Sequence, residues 1–585
     1  VTDFRRLFLI SALVLVLMLL WTRWAAFESE GSGANRAGRA GSSDPATSVM
    51  QGGATTASKP STTDLPSVPR IESSAPAAKA SPGNIPVESK SATQSGERIV
   101  VETDLLRVQL DTHGGDLRTL ELTAYLAELD QPDEPFQLLD DSGPDLYWLR
   151  NGLLGNSDKL PNHGSLYTAK RKQYRLAEGD DRIEVPLFYQ AEGIEYRKVY
   201  TFYRDSYYVD VRYEVKNNSA EVWTGYLYSE FLSTERQATS SVGFFGIGTL
   251  PSYTGAAIYT PAETYKKIDY EDMRELQFAA GGQGNRQEYA KTPSGWVAML
   301  QHYFVGALLA KEDSQYGYEF YSAVRDAGTK PEYLVGFKRR APLVVGGGLS
   351  GEVGTRMFLG PKETARLEEA EQQLELAVDY GWLTPISQPL FWLLTHIQNF
   401  VVNWGIAIIL LTLLVKLVFY PLSAASYKSM AKMKKLGPRM KTLKERYGDD
   451  KQKFQQAMME MYKKDKINPL GGCLPIVVQI PVFIALYWVL LESVELRHAP
   501  FALWIHDLSS PDPFYVLPIL MGASMFGQQL LNPTPVEPMQ ANIMRILPIV
   551  FTLFFLWFPA GLVLYWLVNN LLSIAQQWFV MRKYN

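Results

Sequence analysis

Residues 401–420 read VVNWGIAIILLTLLVKLVFY, and this stretch decides the fold. At 1.5 Å per residue, 20 residues of this kind make a helix of about 30 Å, the thickness of a bilayer's hydrocarbon core. Its one charge is Lys416. Downstream, residues 474–491 are apolar around Pro475, Gln479 and Pro481, and residues 514–531 around Pro518, Gln528 and Gln529. Residues 546–580 are too long for one span, and Phe558-Pro559-Ala560-Gly561 divides them in two. Upstream, residues 7–22 (LFLISALVLVLMLLWT) follow Arg5-Arg6. Trp21 and Trp24 suit an interfacial belt, and Trp24-Ala25-Ala26-Phe27 is a poor cleavage site, so residues 1–27 read as an uncleaved anchor. The expected fold is an α-helical polytopic membrane protein with six transmembrane helices.

Charge placement orients these spans. Residues 422–469 hold 13 Lys/Arg against 5 Asp/Glu, which puts them in the cytoplasm by the positive-inside rule. Arg5 and Arg6 put the N-terminus there too. Alternation then leaves the chain between the anchor and residue 401 outside and returns the C-terminus, with Arg582 and Lys583, to the cytoplasm.

The rest of the 585 residues fill the outer side. Residues 28–96 are Ser, Ala, Gly, Pro and Thr without an aromatic, too polar to offset the entropy of ordering, and read as a disordered linker. Residues 97–377 turn to Val, Tyr, Phe and Thr punctuated by His113-Gly114-Gly115, Asn217-Asn218-Ser219 and Gly346-Gly347-Gly348. Val209, Val211, Tyr213 and Val215 alternate with Asp210, Arg212 and Glu214, as a half-buried antiparallel strand requires. This predicts a large all-β sandwich, closed by a helix over residues 364–376. Residues 378–400, aromatic and broken by Pro385 and Pro389, predict an amphipathic segment along the membrane surface.

The basic loop, 423–467, predicts a helical hairpin. Met440, Leu443 and Tyr447 form one apolar face, and Phe454, Met458, Met461 and Tyr462 another, with a turn at Gly448-Asp449-Asp450. Such a Met-bearing basic projection suits anionic headgroups, ribosomal RNA or a nascent chain. A solvated hairpin that only sets topology is the plainer alternative.

Lys416 is the charge placed inside a span, an expensive position. It lies about six residues from the cytoplasmic end, so snorkelling is one reading. The other is a wet cavity. Thr412 sits one turn back on the same face, and Gln479, Gln528, Asn569, Asn570, Ser573 and Gln576 add polar groups in other spans.

Composition narrows the chemistry. A net charge of −4 argues against a nucleic-acid binder, so no DNA partner is expected. One cysteine, Cys473, excludes an intrachain disulfide and a Cys-rich zinc site, and six histidines leave little for a metal centre. The chain has no phosphate loop, HExxH or GxSxG. His113, His163 and His302 are scattered and read as structural. No enzyme and no cofactor are expected.

Asn468-Pro469-Leu470-Gly471-Gly472-Cys473-Leu474-Pro475, with Gln479-Ile480-Pro481-Val482-Phe483, resembles the YidC family of membrane protein insertases. So do Pro500-Phe501-Ala502-Leu503-Trp504-Ile505-His506-Asp507-Leu508 and Phe555-Leu556-Trp557-Phe558-Pro559-Ala560-Gly561-Leu562. The layout is similar to the Gram-negative form. The resemblance implies a bacterial inner-membrane protein with a periplasmic β-supersandwich and a five-helix insertase core over 401–585. It implies a positive groove open to cytoplasm and lipid, lined by Lys416, Thr412, Gln479 and Tyr565, with Lys416 where relatives carry Arg. Many relatives have two tyrosines where this chain has Tyr565-Trp566. Implied partners are nascent inner-membrane proteins, the Sec translocon, a transient ribosome and the phospholipid bilayer. The expected function is insertase and chaperone, alone or beside Sec. A transporter, or an anchored periplasmic sugar enzyme, are the competing readings of the residues alone.

Overall fold

The computed structural model describes residues 96–585 apart from 144, 156, 158, 236–252, 280–286, 314–316, 327–329, 372, 449, 466–473, 533–537 and 585. The expected anchor, nearly all of the 28–96 linker and the motif at 468–473 lie outside the described residues.

The alternating strand texture folds as read. Tyr208–Asn217 buries Val209, Val211, Tyr213 and Val215 while its charged residues face out. It pairs antiparallel with Ile194–Tyr203 on one side and Ser350–Pro361 on the other. These are the centre of a nine-stranded sheet that runs from Lys266–Ile268 to Thr168–Ala169. A second, eleven-stranded sheet is centred on Trp223–Thr234, between Tyr147–Leu154 and Pro331–Arg339. Both counts are of the described residues. The inner faces share one apolar core, in which Leu149, Phe231 and Phe337 of one sheet join Phe202, Val211 and Met357 of the other. A polar stitch crosses it: Asn151 Nδ2 donates to Tyr200 Oη (3.2 Å), and Tyr213 Oη donates to the Asn151 carbonyl (3.0 Å).

Two short helices decorate the sandwich, α1 (Tyr270–Ala279) and α2 (Thr364–Ala370). The single helix expected over 364–376 is two pieces. Glu371 is extended and Gln373 adopts a left-handed φ of 63° before a 3-10 turn at Leu374–Ala377. The break still buries Leu367, Leu374 and Ala377, so the apolar spacing was satisfied by two turns meeting one core.

The remaining chain is helical: α3 (Thr384–Val401), α4 (Trp404–Val418), α5 (Tyr420–Lys435), α6 (Gly437–Tyr447), α7 (Lys451–Lys464), α8 (Leu474–Glu492), α9 (Val516–Leu531), α10 (Pro538–Phe554) and α11 (Ala560–Tyr584). The apolar stretch 401–420 is interrupted at both ends. Val402 is left-handed, Asn403 caps α4, and a 67° bend follows α4. Pro421, at the start of α5, has no N–H to continue the previous ladder. Among the described residues no single helix is long and apolar enough to cross a membrane, whereas α4 and α5 meet that test together. The expected break at Phe558-Pro559 is present. Ala560 N donates to Ser510 O (2.8 Å) and Gly561 N to Leu508 O (2.9 Å), so the freed backbone groups are satisfied by the preceding loop. That loop is itself braced by Asp507, which accepts from His498 N and Ser509 N, and by Asp512, which accepts from Leu517 N at the start of α9. Gly405 lets the Phe501 ring sit against α4, and Gly522 lets Thr552 of α10 close on α9; a Cβ at either would overlap its neighbour.

Sandwich and helices meet at the end of α8. Arg497 Nη2 donates to Leu126 O (2.7 Å) and Ala127 O (2.8 Å), with its guanidinium 5.6 Å from the ring centres of both Phe136 and Phe304. Beside it lie a buried Lys362–Glu492 ion pair (3.5 Å) and a His302 Nε2 contact to Leu491 O (2.9 Å). A second histidine is tied inside the sandwich, where His163 Nδ1 pairs with Tyr228 Oη at 2.5 Å.

Candidate functional site

α4 starts where Asn403 Oδ1 accepts from Ile406 N (3.0 Å) and Asn403 Nδ2 donates to Phe501 O (2.9 Å). From this fixed end, Ile408, Thr412 and Lys416 follow at intervals of four on one buried face. α11 runs parallel to it. Ile408 Cδ1 faces Gly561 near one end, and Lys416 meets Ser573 further along.

Lys416 Nζ donates to Ser573 Oγ at 2.7 Å and to Gln479 Oε1 at 3.4 Å, which links α4, α11 and α8. The side chain is 7% exposed, so the ammonium is turned into the bundle. Its partners are neutral oxygens, which solvate a cation without cancelling its charge. Ser573 Oγ in turn donates to Asn569 O (2.6 Å). Thr412 is buried beside this layer, but its hydroxyl is spent on Ile408 O of its own helix (2.6 Å).

Tyr565 lies elsewhere. It is eight residues before Ser573 on α11, about 12 Å along the axis, and stacks on Phe483 at 6.1 Å. Trp566 stands edge-on to Phe483 at 4.5 Å and 5.2 Å from Phe555. Gln479 and Phe483 are one turn apart on α8, so an aromatic floor adjoins the polar layer. Of the four expected residues, Lys416 and Gln479 come together, Thr412 flanks them, and Tyr565 belongs to the floor.

Ser573, named from the sequence only as one polar group among several, is the residue that completes this layer. Tyr565, Asn569, Ser573 and Gln577 recur at intervals of four, a polar stripe that marks one face of α11. Within the stripe Gln577 Nε2 donates to Asn532 Oδ1 (3.0 Å), and beside it Asn570 Nδ2 donates to Ser524 Oγ (3.2 Å).

The basic segment holds one helix more than the two expected, because α5 is itself helical and leads through Leu436 into α6. α6 and α7 form the hairpin. Met440 is buried, and Leu443, Tyr447, Met458 and Met461 are half-buried. Gly448 ends α6, and Asp450 Oδ1 caps α7 by accepting from Lys453 N (3.1 Å).

The family model for the YidC periplasmic domain matches residues 98–393, and that for the 60Kd inner membrane protein matches residues 396–585. A membrane protein insertase YidC from Alkalilimnicola ehrlichii is 52% identical over 491 residues, 83% of each chain. Another, from Methylobacillus flagellatus, is 46% identical over 585 residues, covering 99% of this chain and 97% of its own. A solved structure of an active YidC insertase with its first transmembrane domain resolved covers 83% of this chain and 92% of its own, at 19% identity and a TM-score of 0.37. On the matched family models and these relatives, the chain belongs to the YidC family of membrane protein insertases.

Proposed function

We propose that this protein inserts membrane proteins into the bacterial inner membrane and acts as a chaperone for their folding, alone or with the Sec translocon. Residues 1–27 anchor it, 28–96 form a linker, 97–377 the periplasmic sandwich, 378–400 an interfacial segment and 401–585 the five-helix core. With the anchor this makes six spans, and both termini are cytoplasmic. Support comes from the charge bias of residues 422–469 and from the exposed Ile519, Leu530, Ile546, Ile549 and Leu553 on α9 and α10, an apolar surface suited to lipid. Helices this short thin the bilayer locally. The basic hairpin meets headgroups and, transiently, the ribosome.

The observation that carries the mechanism is Lys416, a buried cation held by neutral oxygens between three helices. It makes a cytoplasm-facing groove positive. A substrate's short polar tail enters there and avoids much of the cost of desolvation in lipid. The following apolar segment slides past the groove's open side into the bilayer, driven by burial at about 25 cal/mol per Å². No nucleotide is required. Thr412 shapes the wall, since its hydroxyl is already committed.

The test is insertion of a small inner-membrane protein with an acidic translocated tail, in cells depleted of the native chain. Lys416→Ala impairs it and Lys416→Arg supports it. Equal insertion by wild type and Lys416→Ala at matched protein levels overturns the mechanism. Topology has its own test: a cysteine placed at Gly448 is labelled from the cytoplasmic side, and labelling from the periplasm alone reverses the orientation.

A further inference from the structure

We propose that Ser573 is a positioning residue that clamps the Lys416 ammonium in the groove, keeping one of its N–H donors for a carboxylate on the incoming chain. The inference rests on the groove reading above and adds to it the element that aims the charge.

Lysine ends in a compact charge on a flexible four-carbon stem, with three donors and no preferred plane. Left to itself near a helix end, such a side chain reaches for water. Here it does not; it points across the bundle to α11 and is 7% exposed. The Ser573 hydroxyl is suited to hold it there. Its hydrogen is given to Asn569 O at 2.6 Å and its oxygen accepts from Lys416 at 2.7 Å, with the Tyr427 hydroxyl of α5 as a further hydrogen-bonding neighbour. The Asn569 carbonyl, on the backbone of α11, orients the hydroxyl so that a lone pair faces the ammonium. Gln479 Oε1, at 3.4 Å, is the looser second holder, brought by α8. Two donors are thus used among the described residues and the third remains. Neither holder is charged, so the cation keeps its full attraction for an acidic group. A carboxylate in either holder's place would have neutralised it.

The clamp predicts that the hydroxyl, not the size of the side chain, is what matters at 573. Threonine and valine are near-isosteric and differ by that hydroxyl alone, so the pair separates clamping from packing. The full-length protein is reconstituted in phosphatidylethanolamine–phosphatidylglycerol vesicles as wild type, Ser573→Thr, Ser573→Val and Lys416→Ala. Two quantities are read. One is the rate of Lys416 acetylation by a water-soluble amine reagent, followed on its peptide by mass spectrometry. The other is the ratio of insertion for a single-span substrate with an acidic tail to that of the same substrate with a neutral tail. Loss of one hydrogen bond to a charged group changes such an equilibrium about tenfold or more. Ser573→Val is expected to raise Lys416 acetylation about tenfold and to lower the acidic-to-neutral ratio several-fold, and Ser573→Thr to restore both. Acetylation and ratio the same in the Val and Thr variants would overturn the clamp. If Lys416→Ala leaves the ratio at the wild-type value, the groove-charge mechanism fails instead, and the acetylation rates still report on whether Ser573 holds the amine.

Discussion

Arg497 carries much of the attachment between sandwich and helices. One nitrogen reaches two carbonyls, and the guanidinium lies beside the stacked Phe136 and Phe304 rings, 5.6 Å from each centre. Arg497→Ala leaves Leu126 O and Ala127 O without this donor and should destabilise the junction by about 2–4 kcal/mol. The expected result is faster proteolysis between the two parts while each keeps its own secondary structure. Two residues away, Glu495 is half-buried, with its carboxyl Oε2 turned inward away from solvent. Burial first, with the Glu363 carboxylate adding to it, pushes its carboxyl up to about 7, above the usual carboxylate range. Among the described residues its Oε2 has no hydrogen-bond partner. The folded chain therefore binds this proton more tightly than the unfolded chain. Stability from this group is complete below about 4.5 and falls as pH rises through 7. Glu495→Gln should flatten that fall, read as the thermal midpoint between pH 5 and pH 8. A mutant curve parallel to wild type would remove Glu495 as the cause.

At the scale of elements, the start of α4 positions everything that follows on its buried face. Asn403 both caps the helix and ties it to the 500–501 loop. Asn403→Ala should cost about 1–2 kcal/mol through the lost cap. Asn403→Asp keeps the acceptor, loses the donor to Phe501 O and should cost less, which urea titration of the two variants would rank. Much of this layer was legible in the sequence. The period of two at 209–215 and the Pro559 break were read correctly because each is a local rule about alternation or a missing N–H. The bend after residue 418 was not, because hydropathy sums composition and is blind to a change of direction between two apolar turns. The left-handed Gln373 escaped for a related reason: Leu367, Leu374 and Ala377 meet one core whether or not the helix between them is continuous. At the site, Lys416 was visible as an isolated charge and Gln479 as a polar residue among apolar ones. Ser573 was one small hydroxyl among many, and only the register of α11 against α4 gives it a partner.

For the whole molecule, the sandwich buries the inner faces of both its sheets against each other and carries its own polar stitch, so it should fold when expressed alone. Circular dichroism of residues 97–379 should be dominated by strand, and a mainly helical spectrum would refute the expectation. Ending that fragment at 361 instead removes Leu367, Leu374 and Ala377, all fully buried. At about 1.5–3 kcal/mol for each large side chain, the shorter fragment should melt several degrees lower.

The Arg497 junction also determines how force passes through the molecule. The sandwich is gripped at the end of α8, by Arg497, by the Lys362–Glu492 pair and by His302 on Leu491. Gln479 sits 12 residues earlier on the same helix, about 18 Å away. A helix is stiff along its axis, so a load applied to the loop at residues 346–348 passes into the last turns of α8 rather than dissipating in a linker, and Pro481 is the weak joint between those turns and Gln479. The sandwich is then a handle on α8, the helix that carries Gln479.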